Sequence, residues 1–391
     1  MIRRRTHQLF FITLVVTDPS GARLRNRVLP ALFLSAAAAL TAAASAQAPS
    51  PSFTVHEWGT FTSIAGTDGA AVQWLPLAQQ TDLPCFVERS PGNPVIKLAT
   101  AGTVRMETPV LYFYSPRAVD ASVHVAFPQG LVTEWYPHAT VPQPRSNVAG
   151  EITWPIVAIQ PGAKATFPIE NAPSHYYAAR KTDSDRLLVG ATPERFLFYR
   201  GVGQFQPPLA AIAAQDGGVA IRSTRGEPVG DVVFFESRRG TTTFSAQQFP
   251  SSSAVLSRPS LDDGSGLPVA ELKRVLKANG LYEREAQAML DTWKDSWFEE
   301  GARLLYIVPR ADVDRILPLT ISPKPSNLTR VFVGRIELMT PATLRDVGAA
   351  IASGDRGTML KYGRFLAPIA DRLALSSRLP ASLYMTPSSC R

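Results

Sequence analysis

From Phe53 to Phe249 the apolar residues come in short runs, some alternating with polar residues and some continuous, and each run ends in proline, glycine or a charged turn. The runs "ETPVLYFYSP", "LVTEWYP", "EITWPIVAIQPG", "RFLFYRGVG" and "DVVFFESRRG" are typical. In "SVHVAF" the alternation is clean: Val123, Val125 and Phe127 fall on one face and His124 on the other. Turn signals return about every 8 to 14 residues, a rhythm of antiparallel strands rather than repeated βαβ units. The pattern predicts a mainly β protein with an antiparallel β-sandwich or barrel-like domain.

Serine, proline, glycine and aspartate then crowd the stretch from Phe249 to Pro268, and beyond it the apolar period changes from two to nearly four. "PVAELKRVLKANG" carries Leu272, Val275 and Leu276 on one face and stops at Asn279-Gly280, as a helix does. From Tyr282 to Gly301 a second helix is expected, with Met289, Trp293 and Trp297 at steps of four and an acidic row of Asp291, Asp295 and Glu299. Strands "RLLYIVP" and "TRVFVGRIELM" follow. Thr340-Pro341 opens a helix running to about Ser353-Gly354, and a last helix is expected from roughly Thr358 to Ser376. The expected organisation is a β domain over residues 49–250, a linker or long surface loop over 251–267, and a smaller, helix-containing α+β domain over 268–391.

Composition changes the picture most at the amino end. Arg23, Arg25 and Arg27 precede an alanine-rich apolar run that closes on small residues, the three parts of a secretory signal peptide, so residues 1–48 are expected to be a removable leader. Cleavage is expected after Ala46 or Ala48, with translation starting downstream of Met1 and a periplasmic or secreted product that keeps no membrane span. Losing six arginines and one aspartate with that leader lowers the formal charge from +8 to about +3. No Lys/Arg stripe remains to mark a nucleic-acid binder. Cys85 and Cys390 are the two cysteines; an oxidising compartment permits a disulfide between them, and a buried Cys85 with a terminal thiol at Cys390 is the alternative.

Familiar catalytic signatures are missing. His56-Glu57 lacks a histidine at position 60, and there is no Gly-x-Ser-x-Gly elbow, Cys-x-x-Cys pair or phosphate-binding loop. Four histidines remain after the leader, all within the strand-rich part. His56, His138 and His175 are candidate ligands for a divalent transition metal, with Glu57 or Glu134 as general base and Arg180 to hold an anionic group. On a strand, however, His56 shares a face with Thr54 and Trp58 while Glu57 points the other way, which favours packing at that position. The aromatic clusters Trp135-Tyr136 and Tyr176-Tyr177 would serve either as a stacking platform or as core. Two functions follow: an exported, non-catalytic protein binding a carbohydrate, peptide or protein ligand, and, alternatively, a metal-dependent hydrolase or oxidase with a histidine-lined site.

Overall fold

A computed structural model describes residues 52–77, 83–90, 100–142 and 150–380; the leader, its cleavage positions and Cys390 lie outside them. In chain order the strands are β1 (Thr54–Ala65), β2 (Glu88–Arg89), β3 (Val104–Tyr114), β4 (Val119–Ala126), β5 (Gly130–Tyr136), β6 (Glu151–Gln160), β7 (Arg186–Val189), β8 (Thr192–Glu194) and β9 (Leu197–Gly203). They continue as β10 (Leu209–Ala213), β11 (Val219–Ser223), β12 (Gly230–Arg238), β13 (Thr241–Phe249), β14 (Ser253–Leu256), β15 (Gly301–Ile307), β16 (Leu319–Ser322) and β17 (Asn327–Leu338). Helices α1 (Val269–Ala278) and α2 (Glu283–Trp297) precede β15, and α3 (Arg310–Ile316) follows it. After β17 come α4 (Pro341–Ser353), α5 (Arg356–Lys361) and α6 (Leu366–Arg372).

The protein is mainly β, built on open sheets rather than a closed barrel. One sheet runs in the order β13-β12-β15-β17-β1-β3-β9-β5-β2, a second β16-β4-β6-β7-β8, and a third β10-β11-β14. One face of the large sheet packs on the two smaller sheets through Val55, Leu111, Phe113, Tyr199, Phe234 and Phe332. Its other face carries Trp58, Val110, Tyr112, Phe198 and Val331 and is covered by α1 and α2, which contribute Leu272, Leu276, Met289 and Trp293. Strands covered on both faces need not alternate, which explains the nearly unbroken burial of β1 and β17. At Gly59 a Cβ would come within 2.7 Å of the Phe332 ring, so a larger residue would displace the packing there.

The arrangement differs from the expectations at four points. β15 and β17, from the segment expected as a separate domain, lie inside the large sheet between β12 and β1. The expected linker instead contributes β14, which pairs with β11. The sheet is also not wholly antiparallel, because β1 and β17 pair in parallel from Thr54↔Asn327 to Ala65↔Leu338. Finally, the helix expected over Thr358 to Ser376 is broken: α5 ends at Lys361, and Gly363, at φ 47°, turns the chain before α6. Thr340 caps α4 as expected, accepting the Thr343 amide at 3.1 Å. No helix among the described residues is long and apolar enough to cross a membrane.

Candidate functional site

The histidines expected as metal ligands each engage a carboxylate on a different part of the surface or core. His56 is buried, its Nδ1 2.8 Å from Glu285 on α2, while Tyr114 donates to the same carboxylate at 2.7 Å. His138 is exposed and meets Glu88 at 2.8 Å. His175 opens a short 3-10 helix, His175–Arg180, and its Nε2 lies 2.7 Å from Asp295 on α2. Among the described residues no group of three or more histidine, cysteine, aspartate or glutamate side chains has the arrangement of a metal site.

The other expected groups are held inside the protein. Glu57 faces away from His56, as strand geometry requires, and accepts from the Tyr199 hydroxyl at 2.5 Å and from Arg330 Nε. Glu134 is buried on β5 and accepts the Thr133 hydroxyl at 2.5 Å. Arg180 grips Glu194 through Nε at 2.9 Å and Nη2 at 2.6 Å, and donates Nη1 to the Pro168 carbonyl at 2.6 Å. Rings of Phe86, Phe167, Tyr176 and Tyr177 surround the guanidinium at 5.2 to 5.8 Å. Its donors are thus spent on the protein rather than held for a substrate anion. Trp135 is buried and donates to Glu88 at 2.8 Å, and Tyr136 packs on Phe86 and Tyr176, so these rings are core rather than an open platform. Cys85 is disulfide-bonded.

One cleft, of about 250 Å³, opens beside this knot, between the large sheet and α2. Arg105 and Glu107 from β3, Arg200 from β9, Trp293 and Ser296 from α2 and Arg364 from the turn after α5 line it; His175 and Tyr176 stand at its side. Two neighbouring bulges shape it. Between Met106 and Val110, β3 carries one residue more than β9, and between Val132 and Glu134 β5 carries one more than β9. The first bulge keeps Arg105 and Glu107 on the helix-facing side together with Val110 and Tyr112, despite the odd spacing. It contains Thr108 at φ 48°, a conformation that a β-branched residue adopts only under constraint, followed by Pro109, which offers no ladder amide. The break at Gly363 delivers Arg364 into the cleft, where it donates to Glu107 at 2.8 Å and to Ser296 at 3.1 Å.

Several buried polar atoms lining the cleft lack hydrogen-bond partners. Arg200 is 3 % exposed, yet its Nε and Nη1 donate to no partner; Arg105 Nε and Trp293 Nε1 likewise donate to none, and Glu107 Oε1 accepts from none. Buried polar groups are ordinarily satisfied, and a charged one left bare is expensive. Burial and the like charge of Arg200 draw the Arg105 guanidinium down to about 9, against the opposing pull of Glu107. Burial alone would raise the Glu107 carboxyl, but Arg364 and Arg105 prevail and hold it at about 2. The cleft therefore presents an ionised carboxylate and an excess of unused N–H donors.

Sequence reasoning missed Arg105, Glu107, Arg200, Trp293 and Arg364 as site residues. A signal existed for the first three: an arginine and a glutamate two apart in "TVRMETPV", and a lone arginine in "RFLFYRGVG", are charges within runs whose burial is otherwise secure. No protein-family model matches the chain, and no curated protein does.

Proposed function

We propose that this is a binding protein for a small anionic solute, acting outside the cytoplasm, with the arginine cleft as its site. The observation that carries the reading is the buried Arg200 guanidinium with Nε and Nη1 unused. These two nitrogens lie on different edges of the planar guanidinium, so each edge retains a donor for a carboxylate or phosphate oxygen. A charge-assisted contact made inside a cleft lined by Trp293, Tyr176 and Leu83 is stronger than the same contact in water. At about 250 Å³ the cleft suits one small molecule rather than a polymer chain.

Binding is favoured over catalysis because of where the cleft's carboxyl is held. A general base works best with a pKa near the working pH, whereas Glu107 is drawn to about 2. Such a group holds charge and does not shuttle protons.

The test is calorimetric titration of the purified mature protein with inorganic phosphate, acetate and 4-methylpentanoate, beside Arg200→Met. Saturable binding of at least one probe that weakens by roughly 100-fold in Arg200→Met is expected, since removing one charge-assisted contact in a dry site costs about 2 to 3 kcal/mol. Binding that survives the substitution, or none with any of the three, overturns the reading.

A further inference from the structure

We propose that the ligand is zwitterionic, an α-amino acid or an equally small molecule with an ammonium group beside its carboxylate. This rests on the arginine reading and deepens it. Arginines alone would describe a site for any small anion. The same cleft, however, carries a buried acceptor with nothing to accept from: Glu107 is 1 % exposed, its Oε2 receives Arg364 at 2.8 Å, and its Oε1 has no partner. The Thr62 hydroxyl lies near enough to help lower the Glu107 carboxyl, but it does not reach Oε1 with the geometry of a hydrogen bond.

A simple anion would leave this oxygen worse off, because it brings a second negative charge and no donor. A ligand with both an anionic group and a cationic donor satisfies Arg200 and Glu107 together, and the two are close. Glu107 lies on β3 and Arg200 on β9, adjacent strands whose register passes from Met106↔Gly201 to Val110↔Phe198 around them. Strands pair about 5 Å apart, a spacing that ligand groups separated by one carbon can bridge when both protein side chains lean towards them. Trp293 Nε1 offers a third polar contact, while its indole, Leu83 and Tyr176 give an apolar wall for a side chain.

The deciding comparison is between L-leucine and 4-methylpentanoate, which differ only in the amino group, extended by thermal shift to the twenty standard L-amino acids beside acetate, propanoate and inorganic phosphate. An L-amino acid should bind the unaltered protein roughly tenfold or more tighter than its des-amino analogue, the expected value of one charge-assisted pair. Glu107→Gln should abolish that preference while 4-methylpentanoate binding is kept, which also shows that the variant is folded. Equal affinity for the amino acids and the plain carboxylates, with both lost in Arg200→Met, overturns the zwitterion proposal and leaves the anion site standing. Absence of binding by every probe overturns both. Should Glu107→Gln fail to fold, the comparison in the unaltered protein decides by itself.

Discussion

Two buried arginines on the large sheet have opposite surroundings. Arg303, on β15, is fully buried, and all its nitrogens are in use: Nε and Nη2 meet Glu337 at 3.0 and 3.1 Å, Nη1 meets the carbonyls of Trp297 and Glu299, and Nη2 also meets that of Glu300. It clasps the end of α2 to the sheet. Arg200, four strands away on β9, is almost as deeply buried and leaves Nε and Nη1 empty. Similar burial with opposite satisfaction separates a charge committed to the fold from one that the proposed ligand would satisfy. A protein gains nothing in stability from the second kind, and the proposed ligand is what would satisfy it.

The sharpest way to break the comparison is to substitute both. Arg303→Met strips Glu337 of one partner and leaves three carbonyls at the end of α2 without donors, so a loss of about 3 to 5 kcal/mol in denaturant unfolding is expected. Arg200→Met removes a buried guanidinium with two nitrogens unbonded, and stability in the absence of ligand should hold or rise by about 1 to 3 kcal/mol. The same substitution type thus gives opposite signs on one sheet. If Arg200→Met costs as much as Arg303→Met, the distinction between clasp and site is lost.

Acid sharpens it further. The Glu107 carboxyl has an ordinary value of 4.5 and is held at about 2 in the folded protein. A carboxyl lowered on folding stabilises fully above its unfolded value, and that contribution disappears as pH falls from 4.5 through 2. Its size is on the order of 3 kcal/mol. Unfolding followed across that window should show a steep loss, and Glu107→Gln, already without the contribution at neutral pH, should show a shallower one. Parallel slopes in the two proteins would mean that Glu107 is not held down by Arg364 and Arg105.

The parts of the fold that could be read in the sequence are those that local geometry dictates. Period-two runs gave the strands, the steps of Leu272, Val275 and Leu276 gave α1, and Thr340-Pro341 gave the start of α4. The joining of both segments in the large sheet was not legible, because β1 pairs with β17 across some 273 residues and pairing in space leaves no mark on either run. The cleft was hidden for the same reason: Arg364 reaches Glu107 over 257 positions, from a turn that a continuous helix would have erased. Residue types able to carry chemistry drew attention to side chains that already have partners, Glu285 for His56 and Glu194 for Arg180. Chemistry-bearing residue types are visible in a sequence; whether their hydrogen bonds are already spent is not.

The smallest effect tests whether the cleft is built by its backbone as well as its charges. Thr108 holds φ at 48° in the bulge between Glu107 and Pro109, and it lines the cleft itself. Such a conformation in a β-branched residue costs on the order of 1 to 3 kcal/mol, and glycine removes that strain while adding about 1 kcal/mol of backbone entropy to be lost on folding. Thr108→Gly should therefore change stability by no more than about 1 kcal/mol, with the sign set by the balance of the two. Binding should respond more than stability does. A looser bulge lets Glu107 and Arg105 drift relative to Arg200, so ligand affinity should fall by roughly three- to tenfold with the fold intact. An unchanged affinity in a folded Thr108→Gly protein would show that strand pairing alone sets the positions of these charges, and the strained threonine would then have no part in the site.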